Sequence, residues 1–393
     1  MSFYEFFCPV KILAGTSALE HIPHELRSLN AQRPLLVTDE GVRKVGLLAP
    51  VEKALSEGGL QFAATFDKVP PDSSVKVVSE CARLYRQSNC DSIVAVGGGS
   101  VIDTSKAANI LASENADSLE PFSGANALKR PLKPFFVIPT TAGTGSEVTM
   151  AAVIKDPDRG IKLPFASGFL LPNVAVVDPR MTMSLPPHLT AATAMDAMTH
   201  AVEAYTCMSK NPVSDAYASA AIRKISENLL HVVDNPTDEN GRFELAQAAT
   251  MAGIAFSNSM TGLVHSLGHQ VGALCHVHHG MCMSLFLPYV LEYNLKSAGP
   301  AIGELLLFLE GAEVYAKTPA PERPKAAIAA IRKLRDALYA RCKIPRTLSE
   351  TGKVKREQIP TLARMALDDG TLAFNPEEVE YEDALGVLEK AWA

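Results

Sequence analysis

Between Thr261 and Gly280 the chain carries His265, His269, His276, His278 and His279, half of its ten histidines. Neutral imidazole is a preferred ligand for iron, zinc, copper and nickel, so a run this dense points first to a metal centre. Upstream, an Ala-rich stretch places Asp196 four residues before His200. On a helix that spacing puts both side chains on one face, about 5–6 Å apart at Cβ, close enough to share an ion. His265 and His269 repeat the spacing, and the pair supplies either two ligands or one ligand and one neighbouring base. Taken singly, His276 or His278 reads more simply as a surface or core imidazole. Cys275 and Cys282 flank the cluster as possible soft ligands, but Asp and His already offer enough harder ones.

A second chemistry lies nearer the N-terminus. Ser92-Ile-Val-Ala-Val is followed by Gly97-Gly98-Gly99-Ser100 and then by a helical pattern through Asp103 and Lys106. Glycines let backbone N–H groups approach a phosphate, and the positive end of the following helix favours its charge. A polar loop, Pro139-Thr140-Thr141-Ala142-Gly143-Thr144-Gly145-Ser146-Glu147-Val148-Thr149, follows another strand. Two such loops at strand ends suit a dinucleotide on an open α/β sheet, although the spacing is not the G-x-G-x-x-G fingerprint. Asp39, at the end of an earlier strand, would accept hydrogen bonds from ribose hydroxyls and repel a 2′-phosphate, which predicts NAD over NADP. An Asp in that place also serves as a turn or cap residue.

The elements that must hold these groups divide the chain in two. Short apolar runs at Pro34–Thr38, Ser92–Val96, Phe135–Ile138 and Val174–Val177 alternate with helical patterns, including 42–58 and 74–89. This predicts an α/β domain over residues 1–182 with a Rossmann-like, mostly parallel sheet. Past Asp178-Pro179 the strand signal stops. Helical patterns at 191–208, 215–233, 243–257 and 324–341 predict an all-α, metal-binding domain over 183–393.

Composition narrows the function classes. The 393 residues are 47% hydrophobic and 20% charged, which fits a packed globular chain. A net charge of −6 with no basic run argues against nucleic acid as a partner. No apolar run of about 18 residues and no signal-like N-terminus is present, and seven scattered cysteines suit reduced thiols, so a cytoplasmic location away from membranes is expected. Ala- and Leu-rich helical surfaces and a strand-like Phe3–Phe7 segment favour a homo-oligomer.

Together, the motifs at 97–106 and 139–149, Asp196-x-x-x-His200, Gly253–Asn258 leading to His265-x-x-x-His269, and Asn375-Pro376 resemble the iron-containing (group III) alcohol dehydrogenases. The similarity runs from about Ala31 to Trp392 and is strongest to the lactaldehyde/propanediol oxidoreductase and 1,3-propanediol dehydrogenase branch. The resemblance implies a dehydroquinate-synthase-like two-domain architecture. It implies Asp196, His200, His265 and His279 as ligands of iron(II), with zinc possible, and places His269 beside the nicotinamide; a catalytic proton-carrying role for His269 is the expectation drawn from that place. It implies NAD contacts from Asp39, Gly97, Gly98, Gly99, Ser100, Thr140, Thr141, Thr149 and Lys162. Ala151, Phe256, Thr371 and Leu372 would line a pocket for a small alcohol or aldehyde. Three departures stand out: Gln270 where the family often has proline, Cys275-His276-Val277-His278 before the last ligand, and Pro70-Pro71-Asp72 in the adenosine-side loop. The expected activity is NAD- and metal-dependent interconversion of primary alcohols or diols and aldehydes. The alternatives are a glycerol-dehydrogenase-like zinc polyol enzyme and, from other classes, a metal-dependent hydrolase or a non-catalytic dinucleotide-binding protein.

Overall fold

The structure is a computed structural model and describes residues 3–393. The chain forms two compact units, one spanning Phe7–Ser184 and the other Leu185–Ala393 with residues 3–6.

In the first unit nine strands form: β1 (Lys11–Ala14), β2 (Pro34–Val37), β3 (Ala64–Phe66), β4 (Ser92–Gly97), β5 (Gly124–Ala125), β6 (Phe135–Pro139), β7 (Ala151–Asp156), β8 (Ile161–Ala166) and β9 (Val174–Val177). Six of them make a parallel sheet in the order β1-β9-β6-β4-β2-β3. Every residue of β2, β4 and β6 is buried, because helices cover both faces and alternate side chains enter separate cores. Leu35, Val37, Ile93, Ala95, Phe135 and Val137 pack on one face with Val78, Cys81, Ile102 and Ile110. Leu36, Val94, Val96, Phe136 and Ile138 pack on the other with Ile22, Leu26, Val51 and Leu55. Since β2, β4 and β6 are parallel neighbours, the loops after them leave the same edge side by side.

Some elements differ from the sequence reading. The helix expected over 42–58 is two helices, Glu40–Lys44 and Leu48–Glu57, because Gly46 between them adopts φ 77°, which no helix continues through. The expected helix at 74–89 forms as Val75–Gln87. The strand-like Phe3–Phe7 segment forms no strand: its aromatics have no sheet neighbour, and Phe3 stays largely exposed. Unanticipated from the sequence, β7 and β8 form an antiparallel hairpin.

The second unit is helical. Its central helix, Pro187–Thr206, begins at a Pro-Pro pair, with Pro187 in the first turn where the missing N–H costs nothing. From Thr190 to Thr206 every residue is buried. The helices Pro212–Asp234, Glu239–Ser257 and His279–Tyr293 pack around it. Small residues make this close packing possible: a Cβ on Gly280 would lie 2.1 Å from the Ala192 carbonyl oxygen, so only glycine fits where the His279–Tyr293 helix starts against the central one. The helix Leu263–Cys275 ends at His276 in a left-handed cap with φ 54°.

Candidate metal centre and active site

Asp196, His200 and Glu203 lie on one stripe of the central helix, all buried. Burying such groups is costly unless partners compensate. For Glu203 the partners are protein atoms: Oε1 accepts from Val264 N at 2.8 Å, and Oε2 lies 2.5 Å from His265 Nδ1. Burial pushes the Glu203 carboxyl up to about 7, against the pull of neighbouring backbone N–H groups and imidazoles.

For the other groups the compensation is incomplete. Asp196 Oδ1, His200 Nδ1 and His265 Nε2 are buried side-chain atoms with no hydrogen-bond partner among the described residues. Asp196 Oδ1 lies 3.3 Å from His279 Nε2 and 3.9 Å from His200 Nδ1. Ligand atoms of Asp196, His265 and His279 all fall within 4.8 Å of one another. His200 is outside that compact trio but stacks on His265 with ring centroids 4.5 Å apart. Burial would raise the Asp196 carboxyl, but His200, His279 and His265 outweigh it and hold it below the usual carboxylate range. Burial lowers His200 to about 3 and, with His279 and His269, drives His265 well below its ordinary value. Neutral imidazoles facing an ionised carboxylate, with orphaned lone pairs between them, fit a divalent cation.

Away from this dry side the site opens. The side chains of His279 and His269 are 39% and 35% exposed, and their rings stack at 5.4 Å. His269 Nδ1 meets Asp369 Oδ2 at 2.9 Å. Phe256 stacks on the other face of the cluster, 4.1 Å from the His200 ring. Thr371 and Leu372 sit on the short turn Gly370–Phe374, and the Thr371 hydroxyl bonds Asp369 Oδ1 at 2.7 Å. His276 and His278 are exposed and belong to the turn between two helices, outside the metal trio. Cys275 and Cys282 are buried within those two helices and are also outside the trio.

In the first unit, Asp39, Gly97–Ser100 and Thr140–Thr141 follow the adjacent strands β2, β4 and β6 at their carboxyl ends. A Cβ on Gly97 would lie 2.5 Å from Val101 Cγ2, and one on Gly99 would press on Thr144 Cγ2 at 3.0 Å, whereas one on Gly98 would only touch Thr141. The glycines thus keep a close-set backbone cradle at the start of the Gly99–Glu114 helix. Asp39 caps the Glu40–Lys44 helix, Oδ1 accepting from Val42 N at 2.9 Å. Thr149 is turned inward: its carbonyl and hydroxyl take Lys106 Nζ at 2.7 and 3.1 Å. The buried Lys106 also donates to the Ala151 carbonyl at 2.8 Å, and burial lowers its ammonium to about 8. Ala151 and Lys162 are exposed on the β7–β8 hairpin.

Sequence reading missed three groups. Glu203 had a signal, since Asp196, His200 and Glu203 recur at i, i+4 and i+7. Lys106 had a weaker one, a lysine within an apolar helix face. Asp369 had none, because its contact with His269 joins residues 100 positions apart.

Comparison with known proteins agrees with this geometry. Residues 9–179 match the model for iron-containing alcohol dehydrogenase, and residues 190–392 match the C-terminal model of the Fe-containing alcohol dehydrogenase family. The chain belongs to the iron-containing alcohol dehydrogenase family. It is 37% identical to the NAD-dependent methanol dehydrogenase of Bacillus methanolicus, covering 98% of this chain and 99% of that one. It is 35% identical to the 1,3-propanediol dehydrogenase of Klebsiella pneumoniae, with 99% of each covered. A crystal structure of 1,3-propanediol oxidoreductase superposes with a TM-score of 0.95 at 34% identity, covering 100% of both chains. As a member of this family the chain is an oxidoreductase of the alcohol dehydrogenase type with NAD and iron as cofactors, and the hydrolase, non-catalytic and zinc polyol readings are not favoured.

Proposed function

We propose that this chain interconverts small primary alcohols or diols and their aldehydes, with Asp196, His200, His265 and His279 holding the iron and His269 carrying the proton. The observation that bears most weight is the set of orphaned buried atoms, Asp196 Oδ1, His200 Nδ1 and His265 Nε2, beside the half-open His269 and His279. A divalent ion there would supply Lewis acidity toward the substrate oxygen. The chain's own groups do the rest. Glu203 fixes the His265 ring so that Nε2 faces the centre. Apolar Phe256 closes one side of the histidine cluster.

Alcohol and NAD become aldehyde, NADH and one proton, and that proton needs a carrier. His269 is exposed enough to exchange it with solvent and close enough to the cluster to receive it. Residues 1–182 serve as the dinucleotide-binding domain and 183–393 as the metal-binding one. In the former, Gly97–Gly99, Ser100, Thr140 and Thr141 line the cofactor loops and Asp39 takes ribose hydroxyls. Thr149 and Lys162 are assigned on resemblance, Thr149 by shaping its loop through Lys106. Ala151, Phe256, Thr371 and Leu372 select the substrate. No helix among the described residues is long and apolar enough to cross a membrane. A cytoplasmic homo-oligomer belongs to the same reading.

Anaerobically prepared protein assayed with NAD on ethanol, 1-butanol, 1,2- and 1,3-propanediol and glycerol tests it. Turnover that requires added iron(II) and disappears in Asp196→Ala and His265→Ala is the expected result. Metal-independent turnover, or full turnover in either variant, would refute the ligand assignment.

A further inference from the structure

We propose that Asp369, assisted by Gln270 and Thr371, is a positioning residue that fixes the ring of His269 with its proton on Nδ1, so that Nε2 is the nitrogen that accepts. The inference rests on the proton-carrying role given to His269 above.

Four donors converge on the Asp369 carboxylate. Oδ2 accepts from His269 Nδ1 at 2.9 Å and from Gln270 Nε2 at 3.1 Å. Oδ1 accepts from Thr371 N at 3.0 Å and from Thr371 Oγ1 at 2.7 Å. An ionised carboxylate only accepts, so a neutral imidazole facing it must donate from Nδ1 and keep its lone pair on Nε2. The carboxylate side chain is 13% exposed, whereas the His269 ring is 35% exposed, so the less exposed member of the pair orients the more accessible one.

The duties of the two oxygens are separate. Oδ1 caps the Gly370–Phe374 turn through Thr371 N, while Oδ2 holds His269 and Gln270. Gln270 follows His269 directly in the chain and reaches the same carboxylate with its side chain. Its amide binds the same oxygen as His269 and therefore helps hold the carboxylate beside the ring. The separation makes Asp369→Asn informative, because the amide retains a capping oxygen but can present an N–H to Nδ1. The ring must then carry its proton on Nε2, which is the wrong tautomer for accepting one there.

The test is kcat and KM of the iron(II)-loaded full chain with NAD and a short primary alcohol, for wild type, His269→Ala, Asp369→Asn and the double variant. Asp369→Asn should lower kcat by at least about tenfold while KM for NAD stays within about twofold. The double variant should be no slower than His269→Ala alone. If His269→Ala keeps full turnover, the proton-carrier reading itself fails. If His269→Ala is slow but Asp369→Asn is not, or if the two losses multiply, His269 keeps its role and Asp369 loses the one proposed. Nitrogen NMR of histidine-labelled, zinc-loaded protein at alkaline pH gives a reading independent of turnover. The His269 signal, identified by its absence in His269→Ala, should show an Nδ1 proton in wild type and an Nε2 proton in Asp369→Asn. An Nε2 proton in wild type would overturn the proposal.

Discussion

His265 presents Nε2 to the centre because its other nitrogen is taken, at 2.5 Å, by the buried Glu203 carboxylate. Removing that acceptor while keeping its shape isolates its effect on metal affinity. Glu203→Gln should weaken iron binding by roughly ten- to a hundredfold, the range for a lost outer partner of a metal-bound histidine. Competition with a chelator reads this directly, and unchanged affinity would mean that Glu203 only satisfies the Val264 N–H. Asp369 supports a different measurement. Burial opposes its ionisation, yet the hydrogen bonds from His269 and Thr371 hold its carboxyl below the ordinary range. A carboxyl depressed in the fold stabilises it fully above the unfolded value of about 3.9, and that contribution fades as pH falls through the folded value. Metal-free wild type should therefore exceed Asp369→Asn in melting temperature near neutrality, with the gap closing in acid. A gap that widened on acidification would contradict the assignment.

At the scale of elements, the site depends on how closely two helices meet. Gly280 lets the first turn of the His279–Tyr293 helix rest against Ala192 of the central helix, and this contact brings His279 Nε2 to 3.3 Å from Asp196 Oδ1. Gly280→Ala places a methyl group where the nearest atom is backbone, so the helix must move. We expect a loss of about 1–3 kcal/mol in stability, the usual cost of overpacking, together with weaker iron binding. Denaturant titration and metal content measure both. A variant as stable and as well metallated as wild type would show that the contact relaxes without moving His279.

For the whole molecule, the two compact units divide the candidate ligands. Asp196, His200, His265 and His279 all belong to the unit that begins at Leu185, and the glycine and threonine loops all belong to Phe7–Ser184. Iron that binds only folded protein should stabilise it by about 2.7 kcal/mol at a free concentration one hundred times Kd. In calorimetry, chelation should lower the melting of the helical unit by roughly 5–10 °C, at about 2–4 °C per kcal/mol for a unit of this size. A chelator that shifts only the melting of the α/β unit would place the metal elsewhere.

What the sequence determined by itself was whatever local periodicity and spacing encode. The buried parallel strands are legible because side chains of β2, β4 and β6 enter cores on both faces, which demands unbroken apolar runs. Asp196 and His200 are legible because a helix fixes the geometry of residues four apart. The split of the first long helix was also written locally, in Gly46, although periodicity alone ran through it. Tertiary structure decided the rest. Only folding set His279 against Asp196, turned Thr149 inward onto Lys106 and carried Asp369 across 100 residues to His269. It also left His276 and His278 on an exposed turn although they are neighbours of His279 in the chain. Such contacts join separate elements whose approach depends on packing, and no period in the sequence records the distance between them.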